Sequence, residues 1–224
     1  IRKERMHPIK FLVALKTYAG GHGLRGNKTW TPVQKIVDAL DEAFYASFKI
    51  VEPTNKTRLL ALDISGSMSC GQVGSTPLTP REATAALAMV VARTEPNYIL
   101  TAFETKLTEI SISPRQRLDD VVRYMTRLSM GSTDCSQPML WADAKKLKVD
   151  SFEVYTDSET WAGAIQPSQA LRQYRQRHNN KAKLIVVGMT AANISIADPN
   201  DKGSLDVVGF DTATPEVISN FIRE

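Results

Sequence analysis

The feature that most constrains this chain is a change of period at residue 58. From there on, short runs that are apolar almost throughout alternate with stretches whose apolar residues recur every three or four positions. The runs are RLLALDI (58–64), YILTAF (98–103), FEVYT (152–156), LIVVGM (184–189) and LDVVGF (205–210). The helical stretches between and after them cover 80–93, 114–129, 137–147, 167–178 and 214–222. Thr79–Pro80 and Thr214–Pro215 supply a cap and a proline at the start of two of these. A strand covered on one face alternates apolar and polar side chains, whereas one covered on both is apolar throughout. Strand–helix alternation of this kind predicts an α/β fold over 51–224, a doubly wound, mostly parallel sheet with helices on both faces.

The first fifty residues have a different pattern. One helix is expected over 7–18, then the Gly-rich AGGHGLRGNKTW, then a second helix capped by Thr31 with Pro32 at its first position. Along the second, Val33, Ile36, Val37, Leu40, Phe44 and Phe48 form an apolar stripe that must pack on something. Two helices joined by a turn resemble one unit of a helical solenoid, so 1–50 reads as the terminal helices of a HEAT-like repeat module. VEPTNKT (51–57) then reads as a linker, and a chain opening on Ile1 is expected to be a piece of a longer protein.

Charge is unevenly distributed. Residues 1–50 hold nine Lys/Arg against four Asp/Glu, and the rest hold nineteen against twenty. The whole excess of +4 therefore sits in the helical segment, which suits an anionic partner there. Within GHGLRGNK, Arg25 and Lys28 are the candidate phosphate donors, beside glycine amides; the competing reading is an interhelical loop packed on the α/β domain. A second basic stretch, RQYRQRHNNKAK (172–183), is accounted for by cations meeting a helix C-terminus. No apolar run reaches the ~18 residues of a membrane span, and Lys10 and Lys16 interrupt the only leader-like segment. Cys70 and Cys135 make no disulfide framework, which suits a reducing, cytoplasmic location. His7, His22 and His178 stand at no zinc-ligand spacing.

Ligands of open α/β sheets bind beyond the carboxyl ends of the strands, at the point where strand order reverses. LALDISGSMS delivers Asp63 to that edge, with Ser65 and Ser67 in the following loop. GSTDCSQP brings Thr133 and Asp134, and TDSET brings Asp157. Asp63, Ser65, Ser67, Thr133 and Asp157 are all oxygen donors, the chemistry of a hard cation such as magnesium, with manganese as an alternative. Asp134 fits a capping or supporting role, and Ser158, Glu159 and Trp161 fit the rim. A magnesium-dependent phosphatase would need an acid two residues after Asp63, where Ser65 stands. A serine hydrolase would need G-x-S-x-G, which SGSMS does not supply.

The set DISGSM, GSTDCS, YTDSET resembles the metal-ion-dependent adhesion site of von Willebrand factor type A domains over 58 to about 222. More narrowly, TYAGGHGLRGNKTW, ALDEAFYASFKIVEPTNKTRLLALD, GSTDCSQPMLWA, ETWAG and VVGMTAANISIADPNDKGSLDVVGFD resemble the Ro autoantigen family, whose members join a ring of helical repeats (the TROVE module) to such a domain. The resemblance implies a non-enzymatic, monomeric ribonucleoprotein acting in RNA quality control. Its ring would bind small noncoding Y RNAs and the ends of misfolded RNAs, and 1–50 would be that RNA-binding module's last helices. It also implies that Asp63, Ser65, Ser67, Thr133 and Asp157 hold the cation and present it to an acidic protein ligand. The alternative is a structural cap closing the ring, its metal site vestigial.

Overall fold

The computed structural model describes residues 6–128, 131–157, 162–190 and 196–224. Among these, one sheet is built from β1 (Arg58–Asp63), β2 (Tyr98–Phe103), β3 (Leu107–Glu109), β4 (Ser151–Thr156), β5 (Lys183–Gly188) and β6 (Ser204–Val208). The strand order is β3-β2-β1-β4-β5-β6, every adjacent pair parallel except the antiparallel β2/β3. The helices are α1 (Pro8–Ala19), α2 (Gln34–Ser47), α3 (Pro80–Thr94), α4 (Leu118–Thr126), α5 (Gln137–Ala144), α6 (Pro167–Arg177) and α7 (Thr214–Arg223). The expected doubly wound α/β architecture is what the chain adopts.

Why β1 is apolar throughout is visible in the packing. Leu60 and Leu62 face a core shared with α3, α4 and α7, while Leu59 and Ala61 face one shared with α5 and α6. All four are 0% exposed, and each buried leucine contributes roughly 1.5–3 kcal/mol of transfer free energy. The first core also takes in Ile9 and Leu12 of α1 and Phe44 of α2, so the leading helices are packed onto the α/β layers. Tyr45 fastens α2 there. The Arg93 and Arg117 guanidinium groups lie over its ring at 4.8 and 4.3 Å from the centroid, and its hydroxyl accepts the Leu118 amide at 2.9 Å.

Three boundaries depart from the sequence reading. The helix expected from Thr31 starts at Gln34, with Val33 extended as its N-cap. Tyr18 holds this stretch out of the helix, because its carbonyl accepts the Trp30 indole and its hydroxyl the Val33 amide. The helix expected over 114–129 is confined to α4, because Ser113–Gln116 close a turn on their own hydrogen bonds. The helix expected over 137–147 ends at Ala144, and Lys146 takes φ 56° to close its end. Strand β3 was not foreseen; three residues show no period.

At the amino edge of the sheet Arg58 makes two parallel bonds to Glu153 on β4, both 2.7 Å, and one of 2.9 Å to Glu95 at the end of α3. Glu95 in turn accepts the Thr54 and Asn55 amides of the linker, and Glu153 the Tyr155 hydroxyl. Burial disfavours the Arg58 charge, but Glu153 outweighs it and the guanidinium pKa is raised. Burial, reinforced by Glu153, pushes the Tyr155 phenol well up. This network locks the two central strands in register at the end opposite their functional loops.

Candidate metal centre

The chain leaves β1 outward to β2 and β3, then returns to β4 on the other flank of β1. The reversal point therefore lies between β1 and β4, whose carboxyl ends carry Asp63 and Asp157. After Asp63 the chain makes a 3-10 turn over Gly66–Ser69. The turn folds the loop back so that Ser65 Oγ and Ser67 Oγ stand 3.1 Å apart. Ser67 Oγ donates to Asp157 Oδ1 at 3.0 Å, and Thr133 Oγ1 to Asp63 Oδ2 at 3.5 Å. The structure thus brings together all five residues selected from the sequence, out of three separate loops.

These distances bear on the donor chemistry. Adjacent oxygens of a magnesium octahedron with bonds of about 2.0–2.1 Å lie about 2.9 Å apart. The Ser65–Ser67 and Ser67–Asp157 separations, 3.1 and 3.0 Å, match that edge. Asp63 is buried and both its oxygens are in use: Oδ1 accepts the Ser65 amide at 2.7 Å, and Oδ2 the Thr156 hydroxyl at 2.6 Å. Burial raises the Asp157 pKa from its ordinary value; the Ser67 hydroxyl opposes the shift and the Asp63 charge adds to it. Among the described residues no cluster of three or more His, Cys, Asp or Glu side chains could hold a metal. The centre is instead two carboxylates and three hydroxyls, a hard-oxygen set that fits magnesium or manganese.

The supporting groups were less legible. Asp134 is 2% exposed and braces the approach to α5, its carboxylate accepting Ser136 N and Oγ and Gln137 Nε2. Ala162 N donates to Thr133 O at 3.1 Å, and Gly163, at φ +104°, lies so close to Asp134 that a Cβ there would stand 2.6 Å from Oδ1. Ala162 and Gly163 are thereby laid on Thr133 and Asp134. Thr156 escaped notice because one threonine at the end of an apolar strand carries no signal. Arg81 escaped notice too, although a cation in the first turn of a helix opposes the helix dipole and so advertises a partner. Burial lowers the Arg81 pKa, with Asp63 and Asp157 opposing the shift. Ser158, Glu159 and Trp161, expected at the rim, lie outside the described residues.

Arg25 and Lys28 are away from this constellation, both exposed in the loop between α1 and α2. Gly23 N bonds Lys28 O at 3.0 Å, shaping the loop into a small hairpin closed by the His22–Thr29 bridge. Arg25 Nη2 reaches Ser75 Oγ, 3.4 Å, in the segment leading to α3. The hairpin thus does touch the α/β layers, as the competing reading had it, while its two cations stay open to solvent.

The Ro60 vWA domain family model matches residues 57–222. The chain belongs to the Ro60 family. RNA-binding protein RO60 of Deinococcus radiodurans is 48% identical over 224 residues, 100% of this chain and 42% of that protein. RNA-binding protein RO60 of Caenorhabditis elegans is 44% identical over 223 residues, 99% of this chain and 34% of that protein. The crystal structure of the Deinococcus radiodurans RO (RSR) protein superposes with a TM-score of 0.93 at 49% identity, covering 99% of this chain and 45% of that one. This Ro60-family chain therefore spans less than half the length of these relatives.

Proposed function

We propose that this chain is the adhesion-type portion of a Ro60-type RNA-binding protein, and that its sheet edge is a non-enzymatic divalent-cation site. Ser65, Ser67 and Thr133 would offer hydroxyl oxygens, and Asp63 and Asp157 would act directly or through water. A bound magnesium or manganese ion would supply a Lewis-acidic position for an oxygen of a partner. The observation that carries the reading is the convergence of Ser65, Ser67 and Asp157 at oxygen separations of 3.0–3.1 Å on the β1/β4 reversal point.

Coordination favours an acidic ligand. The Asp63 and Asp157 carboxylates balance a divalent ion, leaving the centre near neutral with an open position that can accept a carboxylate or phosphate oxygen. An acidic protein segment is the ligand we favour. Noncoding Y RNA and misfolded RNA would be bound chiefly by the rest of the longer protein, with Arg25 and Lys28 as secondary phosphate contacts. Among the described residues no helix is long and apolar enough to cross a membrane. We place the protein in the cytoplasm as a monomer, where the exposed free thiol of Cys70 is tolerated.

The alternative, a structural cap with a vestigial site, draws on the packing of Ile9, Leu12 and Phe44 into the core beneath the sheet. Calorimetric titration of Mg2+ and Mn2+ into the metal-stripped protein separates the two. Saturable binding in the wild type, abolished in Asp63→Ala with an unchanged circular-dichroism spectrum, is the expected result. An Asp63→Ala titration indistinguishable from wild type would sink the ligand assignment, and silence in both would favour the cap.

A further inference from the structure

Arg81, the second residue of α3, is 2% exposed. All four of its acceptors are neutral: Ser69 Oγ at 2.8 Å, Ser65 O at 2.9 Å, Ile64 O at 3.3 Å and Met125 O at 3.1 Å. Such a placement is unfavourable twice over. A guanidinium taken out of water with no carboxylate hydrogen-bonded to it carries a desolvation penalty of several kcal/mol, which the charges of Asp63 and Asp157 offset only in part. A cation in the first turn of a helix also opposes the dipole there. For packing alone, an apolar side chain would fill this position at lower free energy.

What the guanidinium does is bind both ends of one loop at once. Ile64 and Ser65 open the turn that follows β1, and Ser69 closes it. Between them stand Ser65 Oγ and Ser67 Oγ, whose 3.1 Å separation depends on the turn being held shut. The remaining arm, to Met125 O, grips the end of α4, from which the chain runs on to the Thr133 loop. One planar fork of fixed geometry thus ties the Ser65–Ser67 loop to the start of α3 and to the end of α4.

The geometry points to Arg81 as the positioning residue of the cation centre, a group that touches no metal but presets the Ser65–Ser67 hydroxyl pair by anchoring its turn to α3 and to the end of α4. The inference rests on the cation site proposed above. Supporting groups around metal ligands characteristically carry 10–100-fold in affinity. Lysine at 81 keeps the charge but has no fork, and glutamine keeps some hydrogen bonding but no charge.

The experiment uses the whole chain with Mn2+ as the probe, comparing wild type, Arg81→Lys, Arg81→Gln and Ser69→Ala. Affinity is read by calorimetry, and water-proton relaxation of the bound ion reports how many protein oxygens it has lost to solvent. Expected are a 10–100-fold weakening in both Arg81 variants, more exchangeable water per bound ion, and faster amide exchange at 65–69. Ser69→Ala removes a single partner at an exposed position and should fall toward the lower end of that range, so the test survives if the Arg81 variants misfold. Wild-type affinity and relaxivity in Arg81→Lys would overturn the inference. So would tighter binding in Arg81→Gln with Arg81→Lys unchanged, which would make Arg81 a mere like charge to the ion. Failure of the wild type to bind Mn2+ would instead remove the site itself, and the positioning role with it.

Discussion

Replacing Arg58 by methionine would strand two carboxylates inside the molecule. Glu153 is 0% exposed and Glu95 6%, and Arg58 is the cation on both, at 2.7 and 2.9 Å. Removing one member of a buried ion pair costs about 3–5 kcal/mol, chiefly because the partner charge is left uncompensated. For a chain of this size that is a fall in Tm of roughly 6–20 °C. Glu153→Gln alone should cost less, about 1.5–3 kcal/mol, as one arm of the fork meets an amide donor instead of a carboxylate. The informative measurement is the double-mutant cycle. With Arg58 present, Glu153→Gln removes a matched charge; with methionine at 58, the same change relieves a stranded one. It should therefore destabilise the wild type and stabilise the Arg58→Met protein, a coupling of about 3 kcal/mol or more by urea unfolding. If Glu153→Gln costs the same in both backgrounds, the network is not electrostatically coupled and the reasoning fails.

Two further outcomes follow from named contacts. His7 caps α1, its Nδ1 accepting the Ile9 amide, and burial followed by Lys10 lowers its pKa from 6.5 to about 4. The unfolded chain takes up a proton below pH 6.5 that the folded one refuses until about pH 4, so stability falls as pH drops through that window. His7→Asn keeps a capping acceptor without titrating, and should shrink the pH 7 to pH 4.5 loss in unfolding free energy by about 2 kcal/mol. Gly163→Ala forces an L residue to φ +104° and a Cβ to 2.6 Å from Asp134, so it should cost at least about 2 kcal/mol by urea unfolding and weaken Mn2+ binding through the displaced Thr133 loop. Unchanged stability would show that the loop relaxes freely.

The parallel sheet and its coverings were legible because burial on both faces leaves a mark that local sequence carries by itself. RLLALD admits few other environments, and Thr79–Pro80 starts a helix wherever it stands. The five oxygen donors were legible for a related reason: each falls at or just beyond a strand end or in a polar loop, and chain order alone sends those ends to one edge. Local signals misled where a distant partner intervened. Thr31–Pro32 has the chemistry of a helix start, yet the Tyr18 hydroxyl and carbonyl hold the segment extended as far as Val33. Over Pro114–Arg117 the competitor is local instead: a turn between Ser113 and Gln116 breaks the helical period.

By itself, then, the sequence determined the fold class and the carboxyl-edge placement of five candidate oxygen donors, because both depend on residue type and on position within an element. Only the tertiary structure decided that Thr156 orients Asp63, that Gly163 lets the chain after β4 close on Asp134, and that Arg81 clamps the turn bearing Ser65 and Ser67. Those pairs are separated by 93, 29 and 16 residues. No local pattern encodes them, since a buried polar group is satisfied by whatever the closed fold brings within 3 Å of it.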